Sequence, residues 1–127
     1  MKHILMVDDS KTNLAVTKSA LEDTYKVTAV TTGVQALKFL EKNGCDLILL
    51  DINMPEMDGF EVLSRIKNDP ATADIPVVFL TAGNDAQEWS RCIDSGAMDI
   101  MEKPFVKNVL LARIGHILEL MDLRGKK

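Results

Sequence analysis

Short apolar runs alternate along this chain with longer segments whose apolar residues recur every three or four positions. The runs are Ile4-Leu5-Met6-Val7, Leu47-Ile48-Leu49-Leu50, Val77-Val78-Phe79-Leu80 and the shorter Ile100-Met101. A run of that length with no polar residue inside it reads as a strand buried on both faces, and the segments between read as the helices that cover it. Five such strand and helix units fit the chain, which predicts an α/β fold built on a parallel sheet.

Strand one is expected from about His3 to Val7, and Ser10 caps the following helix, whose inward residues are Leu14, Thr17 and Leu21. Strand two, near Tyr25 to Val30, is the most polar and belongs at an edge of the sheet. Gly33 opens helix two, with Val34, Leu37 and Leu40 as its stripe and Asn43-Gly44 at its end. Strand three ends at Asp51, a turn-forming loop runs from Asn53 to Gly59, and helix three turns Phe60, Leu63 and Ile66 inward. Residues 69–76 carry Pro70 and Pro76 and read as a linker, because proline disfavours helix in the residue before it. Strand four follows, then helix four to Ser95-Gly96 with Ala86, Ser90, Ile93 and Ala97 facing inward, and strand five from Met98 to Met101. The last helix spans about Val106 to Met121, with Leu110, Ile114, Ile117 and Met121 on one stripe and Leu111 and Leu118 widening it. The 3-4 spacing of Leu111, Ile114, Leu118 and Met121 allows a homodimer, but so short a repeat ranks below a wide core face. The expectation is a monomer or weak homodimer.

Each apolar run ends on, or shortly before, a residue able to do phosphate or metal chemistry: Asp8 and Asp9 after the first, Asp51 after the next, then Thr81, then Lys103. Parallel strands bring those ends to one edge, where open α/β sheets bind ligands. Three carboxylates in one pocket repel one another unless a cation compensates. Oxygen-only ligands suit a hard ion such as Mg²⁺. With Mg²⁺ bound, a carboxylate oxygen can attack phosphorus, Lys103 can pair with a phosphoryl oxygen and Thr81 can donate a hydrogen bond to another; the product is an aspartyl phosphate. The bland alternative is a set of solvated turn residues with Asp9-Ser10 as a helix cap, which leaves the convergence with Asp51, Thr81 and Lys103 unexplained.

At 127 residues the chain is one ordinary domain. Its formal net charge of −4 argues against a partner recognised through a phosphate backbone, since nucleic-acid affinity needs clustered Lys and Arg; the basic end Arg124-Gly125-Lys126-Lys127 is too short to reverse that. Cys45 and Cys92 have no metal-site or Cys-x-x-Cys spacing, so a reducing compartment is the simple reading. Met1-Lys2-His3 leads into only four apolar residues before two aspartates, too few for a signal-peptide core or a membrane span. A cytoplasmic protein is expected.

Taken together, Leu5-Met6-Val7-Asp8-Asp9-Ser10, the stretch from Leu49 to Gly59, Phe79-Leu80-Thr81-Ala82 and Lys103-Pro104-Phe105 resemble the receiver domain of two-component response regulators. The resemblance covers nearly the whole chain, and four stretches in that order and spacing are highly specific. It implies a flavodoxin-like, doubly wound (βα)5 fold with strand order 2-1-3-4-5, a receiver domain over residues 1–122 and a short basic tail over 123–127. It implies a phosphoacceptor domain rather than an enzyme, phosphorylated on Asp51 by a histidine kinase or histidine phosphotransfer protein. Asp8, Asp9, Asp51 and the backbone carbonyl of Asn53 would organise Mg²⁺, with Asp9 as a direct ligand and Asp8 acting largely through water. Thr81 would move toward the phosphoryl group while Lys103 reads its charge, and the face formed by helix four, strand five and helix five would repack for a downstream protein. The resemblance also implies a cis Lys103-Pro104 bond, although X-Pro bonds are mostly trans.

One position departs from the family pattern. Three residues before the site lysine, where the family usually has Tyr or Phe, this chain has Ile100. The switch then works through backbone and loop shifts, or the two states differ less and the domain acts as a phosphate relay. Gly83 and Asn53 occupy places that in the family tune phosphate lifetime. Trp89 is expected to place its ring on the output face, with core packing as the alternative. His3 and His116 read as packing or surface residues. Met1 and the short tail suggest a stand-alone regulator. Two rivals remain at this point. A metal-dependent phosphatase of the haloacid-dehalogenase type also forms an aspartyl phosphate, but typically begins Asp-x-Asp where this chain has Asp8-Asp9, and no segment is left for a cap. A phosphate-independent interaction module of the same fold draws only on Ile100. No Gly-x-Gly-x-x-Gly or P-loop sequence supports a nucleotide site.

Overall fold

A computed structural model describes residues 1–83 and 85–124. Five strands, β1 (His3–Val7), β2 (Lys26–Val30), β3 (Leu47–Asp51), β4 (Val77–Thr81) and β5 (Asp99–Glu102), alternate with α1 (Lys11–Leu21), α2 (Gly33–Lys42), α3 (Gly59–Asn68), α4 (Ala86–Asp94) and α5 (Lys107–Arg124). The strands are all parallel and lie in the order β2-β1-β3-β4-β5. The polar β2 is indeed an edge, and the sheet is the doubly wound, flavodoxin-like one expected.

Side chains alternate across each strand, so one apolar run feeds two cores. Leu5, Val7, Ile48, Leu50, Val77 and Phe79 join Ala36, Leu40, Val62, Leu63, Ile66 and Cys92 beneath α2, α3 and α4. Ile4, Met6, Leu47, Leu49, Val78 and Leu80 join Leu14, Leu21, Leu110, Ile114, Ile117 and Leu118 beneath α1 and α5. Four helices begin at capping side chains: Ser10 accepts from the backbone N–H of Asn13, Thr32 from Gln35, Asp58 from Glu61, and Asp85 from Gln87 and Glu88.

Three expectations are corrected. Helix α4 buries Cys92, not Ala86, Ser90, Ile93 and Ala97, and Ile93 is 63% exposed. The Asp85 cap fixes the helical phase that turns Glu88 and Cys92 toward the sheet. In α2 the buried residues are Gly33, Ala36 and Leu40; Leu37 packs partly and Val34 is exposed. The reason is close approach to α3, since a side chain at Gly33 would meet Val62 Cγ2 at 2.6 Å. The wide apolar face of α5 is core as expected, with Leu110, Ile114, Ile117 and Leu118 buried and Leu111 and Met121 packed beside them; what is corrected there is its end. Helix α5 extends through Arg124, past the expected end at Met121, because Asp122, Leu123 and Arg124 include neither glycine nor proline. Of the expected tail, residues 125–127 lie outside the described residues.

Candidate functional site

The strand ends converge as the apolar runs require. Asp8 follows β1, Asp51 closes β3, Thr81 closes β4 and Lys103 follows β5. Register aligns Val7 with Leu50, Asp51 with Leu80 and Thr81 with Glu102, and the Lys103 backbone N–H donates to the Thr81 carbonyl at 2.7 Å. Asp8 and Asp51 are buried, each 4% exposed, while Asp9 is exposed at the rim. Carboxylate oxygens of Asp8, Asp9 and Asp51 all lie within 4.8 Å of one another.

Among the described residues, one cation pairs with two of these three acids. Lys103 Nζ sits 3.2 Å from Asp51 Oδ1 and 3.5 Å from Asp8 Oδ2, and the Ser10 backbone N–H donates to Asp8 Oδ1 at 2.9 Å. The compensation is incomplete. Burial first, and the neighbouring Asp8 next, push the Asp51 carboxyl up to about 6, against the opposing pull of Lys103. A buried site with surplus negative charge, lined by oxygen donors only, fits a hard divalent cation.

The loop after β3 is built to carry α3 close beneath Asp51. The Gly59 N–H donates to the Ile52 carbonyl at 2.8 Å, and a Cβ at Gly59 would lie 2.5 Å from the Asp51 carbonyl oxygen and 2.8 Å from Ile52 Cα. Only glycine admits that approach. Asn53 lies exposed in this loop, two residues past Asp51. The Lys103-Pro104 peptide bond is cis.

Thr81 is 2% exposed, and its hydroxyl donates to Glu88 Oε1 at 2.6 Å while accepting from the Gly83 N–H at 3.2 Å. Gly83 has φ of 77°, and Glu102 crowds it so closely that a Cβ there would meet the Glu102 Cγ at 2.6 Å. Sequence reasoning missed Glu88. The spacing Asp85-x-x-Glu88 was a visible signal, but as a capping box it would send Glu88 back to its own helix start rather than to Thr81.

Trp89 and Ile100 are both half-buried. They line an open groove of about 640 Å³ between α4, β5 and the start of α5, with Ile93, Val106, Val109 and Arg113. The Trp89 ring is therefore neither core nor free surface. His116 is exposed, whereas His3 Nε2 lies 2.7 Å from Thr28 Oγ1 and packs edge-on against Phe39.

A five-stranded 2-1-3-4-5 sheet with an acidic, oxygen-lined pocket at its carboxyl edge places the chain in the flavodoxin-like class of α/β proteins. Within that class it belongs to the response regulator receiver domain family, whose model matches residues 4–115. Among curated proteins it is similar to a probable cyclic di-GMP phosphodiesterase of Vibrio cholerae, 40% identical over 111 residues that cover 87% of this chain and 25% of that protein. The chain thus spans about a quarter of that relative's length. Among solved structures it resembles the receiver domain of a signal transduction histidine kinase from Syntrophus aciditrophicus, with 35% identity, TM-score 0.88 and coverage of 94% of this chain and 91% of that one. It also resembles the receiver domain of a sensor histidine kinase from Pseudomonas aeruginosa that has a magnesium ion coordinated in its active-site cleft, with 30% identity, TM-score 0.81 and coverage of 94% and 96%. Receiver domains are the phosphoacceptor signalling domains of two-component systems. Family membership replaces the phosphatase alternative. No helix among the described residues is long and apolar enough to cross a membrane.

Proposed function

We propose that this chain accepts one phosphoryl group on Asp51 from a histidine kinase or histidine phosphotransfer protein and relays the signal through the α4-β5-α5 face. The observation that carries the reading is the convergence at Asp51: a buried carboxylate with two further carboxylates within 4.8 Å and one lysine 3.2 Å away. Asp8, Asp9, Asp51 and the Asn53 backbone carbonyl are the residues that would hold Mg²⁺. The ion, when bound, supplies neutralisation of the phosphoryl oxygens. Its presence in the related Pseudomonas aeruginosa receiver supports the assignment.

The rest of the chemistry belongs to side chains. An ionised Asp51 oxygen attacks phosphorus as the donor's phosphorus-nitrogen bond breaks and the leaving nitrogen takes up a proton. Its carboxyl, raised to about 6, is still ionised at neutral pH. Lys103, which already bridges Asp51 and Asp8, transfers its pairing to a phosphoryl oxygen. Thr81 donates to another. The groove bearing Trp89 and Ile100 then receives a downstream protein. The working state is a cytoplasmic monomer or weak homodimer that binds no nucleic acid by itself and does not insert into a membrane.

Intact mass after incubation with phosphoramidate tests the reading. Wild type with Mg²⁺ is expected to gain one phosphoryl group, lost in base, whereas Asp51→Asn and Mg²⁺-free samples gain none. A protein that takes no phosphate under any condition, with short-lived adducts checked by rapid quench, would leave a phosphate-independent interaction module as the function.

A further inference from the structure

We infer that Glu88 is a positioning residue that withholds the Thr81 hydroxyl from the Asp51 pocket and, when it lets go, passes the change to α4. The inference rests on the phosphoacceptor reading above. A threonine hydroxyl has a single proton to donate. Here it goes to Glu88 Oε1 at 2.6 Å, and the Gly83 N–H takes up acceptor capacity on the same oxygen. A charged acceptor makes that bond stronger than a neutral one. Thr81 cannot donate to an oxygen carried by Asp51 until it leaves Glu88.

Glu88 lies in the first turn of α4, where its backbone N–H is held by the Asp85 side chain. Its own side chain reaches back to the last residue of β4. The pair therefore ties the helix start to the strand end. Since Cys92 is the one buried residue of α4, the tie is a large part of what sets that helix's place. A phosphoryl group on Asp51 would draw the hydroxyl and, as a nearby anion, repel the glutamate, so both effects act in one direction. Ile100, beside Phe79 on β5, has no polar side-chain atom to take over the hydroxyl. Among the described residues the side-chain link from Thr81 runs to α4 rather than to β5.

Beryllofluoride with Mg²⁺, as a phosphoryl mimic, tests this through the emission of Trp89, the chain's one tryptophan and the residue next to Glu88. Glu88→Ala is expected to bind the mimic roughly tenfold tighter than wild type, because one charge-assisted hydrogen bond no longer has to be broken. Glu88→Gln keeps an uncharged acceptor and should fall between, at roughly threefold. In a Thr81→Ala background the Glu88 substitutions should tighten binding far less, keeping only the relief of charge repulsion, a dependence on Thr81 that a purely structural role would not produce. Urea unfolding checks each variant, and Glu88→Gln, nearly the same size, carries the test if Glu88→Ala folds poorly. Unchanged or weaker affinity in a folded Glu88 variant, or equal tightening without Thr81, overturns the inference. Such a result alongside an Asp51 adduct from phosphoramidate would overturn this inference alone. No adduct and no Trp89 response in wild type would overturn it together with the phosphoacceptor reading.

Discussion

Helices α3 and α4 occupy equivalent places in the fold and are held in opposite ways. Each follows a strand that ends on a site residue, Asp51 for α3 and Thr81 for α4, and they are 10 and 9 residues long. Helix α3 buries Gly59, Val62, Leu63 and Ile66, starts against the backbone of Asp51, and is braced by α2 at Gly33. Helix α4 buries Cys92 and is otherwise tied by its Asp85 cap, by Glu88 to Thr81, and by Arg91 over the Phe60 ring. Chemistry at Asp51 needs fixed geometry, so the helix beneath it is clamped. A helix that must report the chemistry has to move at small free-energy cost, and few buried contacts give it that freedom.

The largest expected effect follows from burial. Ile66→Ala should lower stability by about 2–5 kcal/mol through lost packing and the cavity left behind. Cys92→Ala, which removes one buried sulfur, should cost only about 1 kcal/mol. Urea unfolding with unchanged slopes would measure both. Equal losses would show that α4 is anchored as firmly as α3 and break the comparison.

The same contrast explains what could be read from the chain itself. Strands β1, β3 and β4 are unbroken apolar runs, the strongest periodic signal available, and Asp8, Asp51 and Thr81 are legible because each stands where such a run ends. Lys103 is legible through the short run before it and the resemblance around Pro104. The inward face of α4 was not. Cys92 and Ile93 are neighbours of similar apolarity, so periodicity could not choose between them, and the choice was made by a cap and by a contact to Thr81. In α2 the deciding fact is a close approach between helices at Gly33, which has no side chain to reveal it. Glu88 was hidden for the same reason as Cys92: its role depends on a strand seven residues away folding back against it.

The Asp51 side of the molecule also carries electrostatic strain. Because the folded-state carboxyl titrates at about 6 rather than the ordinary 3.8, the folded protein holds a proton over a range in which the unfolded chain has lost it. Without a divalent cation, this group's contribution to stability falls as pH rises from about 4 through about 6 and stays at its lowest above that. Asp51→Asn should therefore be more stable than wild type by about 1–3 kcal/mol at pH 7 in EDTA, with the gap closing toward pH 4. Added Mg²⁺ should narrow the gap at pH 7 by stabilising wild type alone. A variant less stable than wild type in EDTA would mean that the Lys103 ion pair outweighs burial and repulsion, and that the clamped half is not strained.

The smallest effect is the most selective probe of α4. The Arg91 guanidinium carbon lies 3.9 Å from the centre of the Phe60 ring, which itself packs on Phe79 at 5.2 Å between centroids. This is an exposed cation-π contact running from α4 to α3. Its removal in Arg91→Ala should cost about 0.5–1 kcal/mol, with α3's own burial untouched. If α4 opens separately, that loss appears as local exchange: amides of Ala86–Asp94 should exchange with solvent roughly two- to fivefold faster, while those of Gly59–Asn68 keep their rates. Equal acceleration in both helices would show that they open as one unit. The Thr81–Glu88 tie would then act on a block that includes the clamped helix, not on α4 by itself.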